Sequence, residues 1–381
     1  MKKALMMASV ASMIDLFNMD NIKILKDMGF EVHVACNFEF GSITSQERVN
    51  EFRKELESSG IKTFHIPVPR SIYAIKDIVK SYKLMKSLCE ENNYDLVHCH
   101  SPIGGVVARL ACKRARNQGT KVIYTAHGFH FFKGSSIKNW LIFYPIEKFC
   151  AKYTDCLITI NKEDYEVAKK FNNTNVEYIP GIGMHIDDIK NMKVDRKAKR
   201  TQLGLNNDDF VLISVGQVSK RKNQEVIIKA LANISDKHVK YLICGFGELE
   251  EYLRNLTLHL NLEDKVIFAG YRRDVKELLY AADCFVFPSL QEGLPVALME
   301  AMATGLPVIC SDIRGNVDLI TNGKGGYLVD CHDVDGFAKY IDKLIRNINL
   351  KENMSEYNKK SIMEFDINKV KTHMEKIYLG V

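Results

Sequence analysis

Apolar, strand-like runs alternate with helical patterns along almost the whole chain, and this alternation restricts the fold more than any other feature. The runs fall at 4–10, 31–35, 62–66, 96–99, 121–125, 156–160 and 176–179. Helix-like stretches at 14–27, 47–58, 75–91, 104–116, 138–153 and 162–171 separate them, with Gly29 as a stop after the first and a polar loop at 37–46. Strands joined through helices need crossover connections, which make successive strands parallel and place helices on both faces of one sheet. The pattern breaks at Pro180-Gly181-Ile182-Gly183, and a charged, weakly apolar stretch running to Arg200 reads as an interdomain linker. Alternation restarts at 210–215 and continues through strand-like runs at 241–244, 266–269, 284–287, 307–310 and 326–329. A chain of 381 residues exceeds one ordinary core and suits two domains of roughly 180 residues each. The fold class is therefore α/β with two doubly wound sheets, and the expected bounds are 1–183, 184–364 and a final helix at 365–381.

Residues 287–318, FPSLQEGLPVALMEAMATGLPVICSDIRGNVD, hold the densest chemistry. A strand ends at Pro288, the chain turns at Gln291-Glu292-Gly293, and a short helix starts at Pro295, whose ring presets the first helical φ. Gly305 and Pro307 stop that helix. Strand, loop and helix N-terminus in this order make an anion site, because the first N–H groups point outward unpaired and the dipole favours negative charge. Gly293, Leu294, Pro295 and Val296 form this tip. Glu292 stands in the loop and Glu300 lies inside the helix. The rise from 295 to 300 is about 7–8 Å, and helical side chains lean toward the N-terminus, so Glu300 can reach back beside a bound anion. Carboxylates are poor phosphate ligands but good hydroxyl acceptors. One suits a sugar and the other a ribose, on either side of a diphosphate; the alternative for both is a plain surface charge.

Further turns carry similar chemistry. In Val215-Gly216-Gln217-Val218-Ser219-Lys220-Arg221-Lys222, Gly216 lets backbone approach a ligand and Lys222 brings charge to phosphate at a helix start. Gly245-Phe246-Gly247-Glu248 and Gly270-Tyr271-Arg272-Arg273 also follow strands. In the first half, His127-Gly128 sits at the C-terminal end of a strand, where open α/β sheets take ligands. His98-Cys99-His100 offers metal-ligand types, but strand alternation sends Cys99 away from both histidines, and no metal is expected. His100 is a candidate polar support, and the alternative for His127 is a buried structural histidine. His130 reads as packing or loop support, and Phe129, Phe131 and Phe132 either contact an acceptor lipid or fill core.

Glu292-Gly293-Leu294-Pro295 with Glu300 and the following Ala301-Met302-Ala303-Thr304-Gly305-Leu306-Pro307 resemble the E-x7-E signature of the retaining GT-B glycosyltransferases of family 4, and the resemblance runs the full length. It implies two Rossmann-like domains facing across a cleft: an acceptor-side N-terminal domain and a nucleotide-sugar-binding C-terminal domain, with the last helix crossing back to the first. It implies a nucleotide-diphosphate donor, expected to be a UDP-sugar, with Lys222 on the diphosphate, Glu292 on the sugar hydroxyls and Glu300 on the ribose. His127 would contact the sugar near its reacting carbon, the Gly245 and Gly247 loop would lie near the nucleotide, and backbone around Arg273 would face the base. Gln217 stands where relatives often carry an arginine, which removes a fixed charge and a bidentate fork. Lys220 and Arg221 are the candidates to replace it. No catalytic base stands out, and the family picture gives the acceptor's proton to the departing phosphate. The resemblance is nearest to bacterial enzymes that extend a polyprenyl-diphosphate-linked saccharide in exopolysaccharide or capsule assembly. A UDP-sugar epimerase of the same fold and a non-catalytic nucleotide-sugar-binding protein are the rival readings.

A net charge of +6 fits an anionic donor and is too mild for a nucleic-acid partner. The ten cysteines form no CxxC pair and read as thiols of a reducing, cytoplasmic compartment. Arg53, Arg70, Lys80, Lys83, Lys86, Lys113, Arg114 and Arg116 make the first domain basic enough for peripheral contact with the inner-membrane surface. The N-terminal residues share features with a signal peptide but read better as the first buried strand. No run approaches the roughly 20 apolar residues of a membrane span. Walker, serine-elbow and EF-hand motifs are absent from the sequence, so ATPase, esterase and calcium functions drop out and no cofactor is expected.

Overall fold

Nearly every apolar run becomes a strand, and the central strands are buried on both faces, which is why they read as continuous hydrophobic stretches. The computed structural model describes residues 1–39, 44–171 and 174–381; part of the polar loop read at 37–46 lies outside them. The chain divides into two compact units, Met1–Gly183 with Ile367–Val381, and Met184–Asp366.

Among the described residues, the first unit holds seven parallel strands: β1 (Lys3–Val10), β2 (Glu31–Asn37), β3 (Lys62–His65), β4 (Leu96–His100), β5 (Lys121–Ala126), β6 (Cys156–Thr159) and β7 (Asn175–Tyr178), in the order β3-β2-β1-β4-β5-β6-β7. The second unit holds six: β8 (Phe210–Val215), β9 (Val239–Cys244), β10 (Val266–Gly270), β11 (Cys284–Phe287), β12 (Val308–Ser311) and β13 (Gly326–Val329), in the order β10-β9-β8-β11-β12-β13. Winding reverses between β1 and β4 in one sheet and between β8 and β11 in the other. Those two reversals open crevices at the strands' C-terminal ends, the usual ligand position in such sheets.

Strand alternation divides the side chains between two cores per sheet. Along β1, Ala4, Met6 and Ala8 enter one core while Leu5 and Met7 enter the other. The last helix, Ile367–Gly380, places Val370, Met374, Ile377 and Tyr378 in the first unit's core, at the spacing of one helical face. Tyr378 also meets a ring nitrogen of buried His98 through its hydroxyl at 2.8 Å.

Several boundaries differ from the sequence reading. The stretch after Gly183 is no linker: helices Ile186–Lys190 and Arg196–Gln202 fold into the second unit, with Ile186 and Ile189 fully buried. Buried Arg200 is held by Asp283 at 2.6 Å and by the carbonyls of Asn207 and Asp209. The helix read at 14–27 is two, Ala11–Phe17 and Met19–Asp27, divided at Asn18, whose side chain donates to the Met13 carbonyl. Helices Val334–Ile345 and Ile348–Ser361 follow β13, in a region where the sequence reading placed none.

Candidate functional site

In the second unit, the loops leaving β8 and β9 touch backbone to backbone. Gly216 and Gly245 adopt φ of +142° and +144°, and a Cβ on Gly245 would lie 1.9 Å from the Gly216 carbonyl oxygen. A Cβ on Gly247 would fall 2.2 Å from the Val218 oxygen. The bare Gly216 also leaves room for the Lys222 side chain, whose Cε would sit 3.0 Å from a Cβ there. Asn223, at φ +55°, turns the chain into helix Gln224–Ala232, and its amide donates to the carbonyls of Pro288 and Cys331. Lys222 is thereby delivered to the β8/β11 crevice.

There it meets the acid loop. Lys222 Nζ donates to Glu292 Oε1 at 2.8 Å, and Arg221 Nη1 donates to the same oxygen at 2.9 Å and to the Gln291 carbonyl at 3.0 Å. The Lys222 and Glu292 side chains are only 12% and 9% exposed, and the ammonium lies 4.3 Å from the Phe287 ring centre. Burial lowers the Lys222 pKa below the ordinary lysine value, and Glu292 only partly offsets this. Arg221 is thus the neighbour that joins the cluster; Lys220 is exposed. Gln217, in the arginine's place, donates to Glu248 at 3.2 Å.

The helix beyond the acid loop runs Val296–Thr304, with Pro295 in the extended N-cap position. It therefore starts one residue later than its proline suggested, and no side chain caps its N-terminus. Half-buried Glu300 has its carboxyl pKa raised by burial, against a small pull from Lys276. Two residues that sequence reasoning passed over fix this turn. Arg314 Nε donates to the Glu292 carbonyl at 3.2 Å, and Gly315, at φ +82°, packs where a Cβ would be 2.3 Å from the Gly293 carbonyl. The Arg-Gly pair just after β12 was the available signal. Leu294 packs on the apolar core, and Arg273 is exposed, while Arg272 pairs with Asp274 at 2.6 Å.

In the first unit, His127 Nε2 and His100 Nδ1 share a hydrogen bond at 3.1 Å. Burial pushes the His127 pKa down to about 4 and His98 to about 3, so both rings are neutral near pH 7. His98 bridges Tyr378 and Thr125, both at 2.8 Å, and is structural. Phe129 and Phe131 stack in the core at 4.7 Å, which settles their two readings in favour of packing. His130 stacks on Phe143 and is exposed. At the β1/β4 reversal, Ser9 and Ser101 hydroxyls meet at 2.7 Å, beside a cavity of about 500 Å³ that Ser12, Arg70, Ile72 and Phe143 also line.

Residues 195–361 match the family described as "Glycosyl transferases group 1", and residues 6–161 match "Glycosyl transferase 4-like". The chain is 36% identical over 382 residues to a putative glycosyltransferase, EpsD, of Bacillus subtilis, covering 99% of this chain and 96% of that one. It is 33% identical to the UDP-Gal:alpha-D-GlcNAc-diphosphoundecaprenol alpha-1,3-galactosyltransferase of Escherichia coli, over 86% and 83% of the two chains. Among solved structures, HepE of Anabaena in complex with UDP superposes with a TM-score of 0.77, covering 100% of both chains at 20% identity. That likeness gives the chain the GT-B fold, with a Rossmann-like domain for each of its two sheets.

Proposed function

The chain belongs to the family 4 GT-B glycosyltransferases, and from that premise we propose that it moves a sugar from a UDP-sugar to a polyprenyl-diphosphate-linked saccharide in exopolysaccharide or capsule assembly, with anomeric configuration retained. The observation that carries the proposal is the convergence of two cations, Lys222 and Arg221, on one oxygen of Glu292 beside a helix N-terminus without a side-chain cap. A donor diphosphate competes with Glu292 for those cations. As they turn to phosphate, Oε1 is released to accept a sugar hydroxyl. Binding of the donor and orientation of its sugar are then one exchange of partners.

As the sugar–phosphate bond breaks, negative charge grows on the leaving diphosphate. Lys222, Arg221 and the free amides near Gly293 and Val296 stabilise that charge without reorganising. Gly216, Gln217, Gly245 and Gly247 supply close backbone approach, Glu300 accepts from the ribose, and backbone at Arg273 takes the base edge. His127 is assigned to the donor sugar. Neutral His127 and His100 share one proton, so the bond between them decides whether the outer nitrogen of His127 donates or accepts. His100→Phe is expected to lower kcat about tenfold, roughly one hydrogen bond's contribution, with the donor KM unchanged; steady-state kinetics with varied donor check this.

Support for the UDP donor and lipid-linked acceptor comes from the galactosyltransferase relative's name and the UDP bound to HepE. The deciding experiment offers a panel of UDP-sugars with polyprenyl-diphosphate-linked saccharides and follows UDP release and product linkage by NMR. UDP release that depends on the acceptor, with an α-linked product from an α-linked donor, is expected. An epimerised donor formed without acceptor, or an inverted linkage, would refute the assignment.

A further inference from the structure

At the N-terminal end of the second unit's sheet, opposite the strand ends that form the crevice, two acids and a histidine meet. Asp208 and Asp209 precede β8, and His238 precedes β9. The two strands run parallel with Phe210 beside Val239, and the Phe210 amide donates to the His238 carbonyl at 2.9 Å. That register sets Asp209 next to His238. His238 Nδ1 lies 3.5 Å from Asp208 Oδ2 and 3.8 Å from Asp209 Oδ1. One donor atom from each of the three residues lies within 4.8 Å of the other two.

The three side chains are held differently. Asp209 is fixed: its side chain is 1% exposed, Oδ2 accepts from the Asn206 amide at 2.7 Å, and its carbonyl accepts from buried Arg200 at 2.9 Å. Asp208 and His238 are 72% and 62% exposed and have room to turn. The buried oxygen Asp209 Oδ1 accepts no hydrogen bond among the described residues. Enclosing a carboxylate oxygen without a partner is costly. What faces this one is His238 Nδ1, which at 3.8 Å is too far for a hydrogen bond. The neighbouring cation does not serve it either, because Arg200 directs its guanidinium to Asp283 and to the carbonyls of Ala281, Asn207 and Asp209. Asp236, whose Oδ1 accepts from the His238 amide at 2.8 Å, adds further negative charge nearby.

We propose that Asp208, Asp209 and His238 bind a first-row divalent cation of the zinc class, which clips the start of β8 to the start of β9. The donor set selects the ion. Two carboxylate oxygens with one imidazole nitrogen suit zinc, cobalt or nickel, whereas magnesium and calcium prefer oxygen alone and copper(I) favours sulfur. Around a tetrahedral zinc with bonds of about 2.0–2.2 Å, donor atoms stand about 3.4 Å apart. Separations of 3.5 and 3.8 Å therefore need only small turns of the two exposed side chains. The ion meets the unpaired oxygen directly, and water completes its shell. Its role is structural. The six residues of β8, at about 3.3 Å each, put it roughly 20 Å from the Gly216 turn, so it touches no nucleotide bound there. The site thus stands apart from the transfer reaction.

Equilibrium dialysis of the metal-free full chain against Zn²⁺, with Mg²⁺ as control, tests the site, followed by Tm of the loaded protein. The wild type is expected to take up one equivalent of zinc at these residues, to bind Mg²⁺ about 100-fold more weakly or less, and to gain about 5 °C in Tm at free zinc 100 times Kd. The double variant Asp208→Asn with His238→Gln keeps Asp209 and its buried contacts, and is expected to lose both that equivalent and the gain. Co²⁺ in place of Zn²⁺ should give a ligand-field spectrum without a thiolate charge-transfer band, which excludes the cysteines as ligands. The UDP-induced rise in Tm should be the same in wild type and double variant, which shows the variant folded and keeps this test separate from the transferase reading. Four results would overturn the proposal: a wild type that takes up no zinc, because protonated His238 alone answers Asp209; a double variant that binds zinc as tightly as wild type; a thiolate band with Co²⁺; or an equal Tm gain with Mg²⁺.

Discussion

Lys222→Ala is expected to reduce sugar transfer by about 100- to 1000-fold, the loss typical of removing one preorganised charge stabiliser, while the folded structure persists. The ammonium is enclosed, ion-paired to Glu292 and placed beside the helix tip, so no solvent ion takes over its role. Initial rates with donor and acceptor, plus circular dichroism of the variant, check this. The pH dependence follows from burial. The folded pKa lies below that of an ordinary lysine, so the cation is lost on the alkaline side sooner than usual. Donor affinity should fall there, and at lower pH in Glu292→Gln, which lacks the carboxylate that pulls the value back up. Stability moves oppositely. Between the folded and unfolded values the unfolded chain holds more protons, so raising pH through that window favours the fold at this residue.

Gly245→Ala should lower stability by about 3 kcal/mol, from backbone strain and overpacking together, and should also weaken UDP binding. At φ +144° an L side chain is strained, and the new methyl would meet the Gly216 carbonyl at 1.9 Å, a backbone atom that cannot rotate away. Gly60→Ala is the control: its φ is +77°, but nothing lies within 4 Å of a Cβ there, so only the strain of about 1 kcal/mol remains. Urea unfolding of the two variants should separate them.

The parallel sheets were legible because their strands are buried on both faces and write themselves as unbroken apolar runs. What stayed hidden depends on partners distant in sequence. Arg200 reads as surface charge until Asp283 and the loop carbonyls close around it. Arg221 reads as one more cation in a basic turn, and only the acid loop, 71 residues on, reveals it as a second ligand of Glu292. Helix Val334–Ile345 was readable, since Phe337, Ile341 and Leu344 repeat on one face and Asp333 caps Gly336 at 2.8 Å. In the first unit, the pairing of His127 with His100 needed the register of β4 against β5, which sequence alone does not give.

The most direct measurement of the central claim, that a nucleotide diphosphate settles on Lys222 beside the 293–296 turn, is the shift of Tm on adding saturating UDP. The wild type and Lys220→Ala are expected to gain about 5 °C or more, and Lys222→Ala close to none. Equal gains in wild type and Lys222→Ala would place the nucleotide elsewhere and contradict the account.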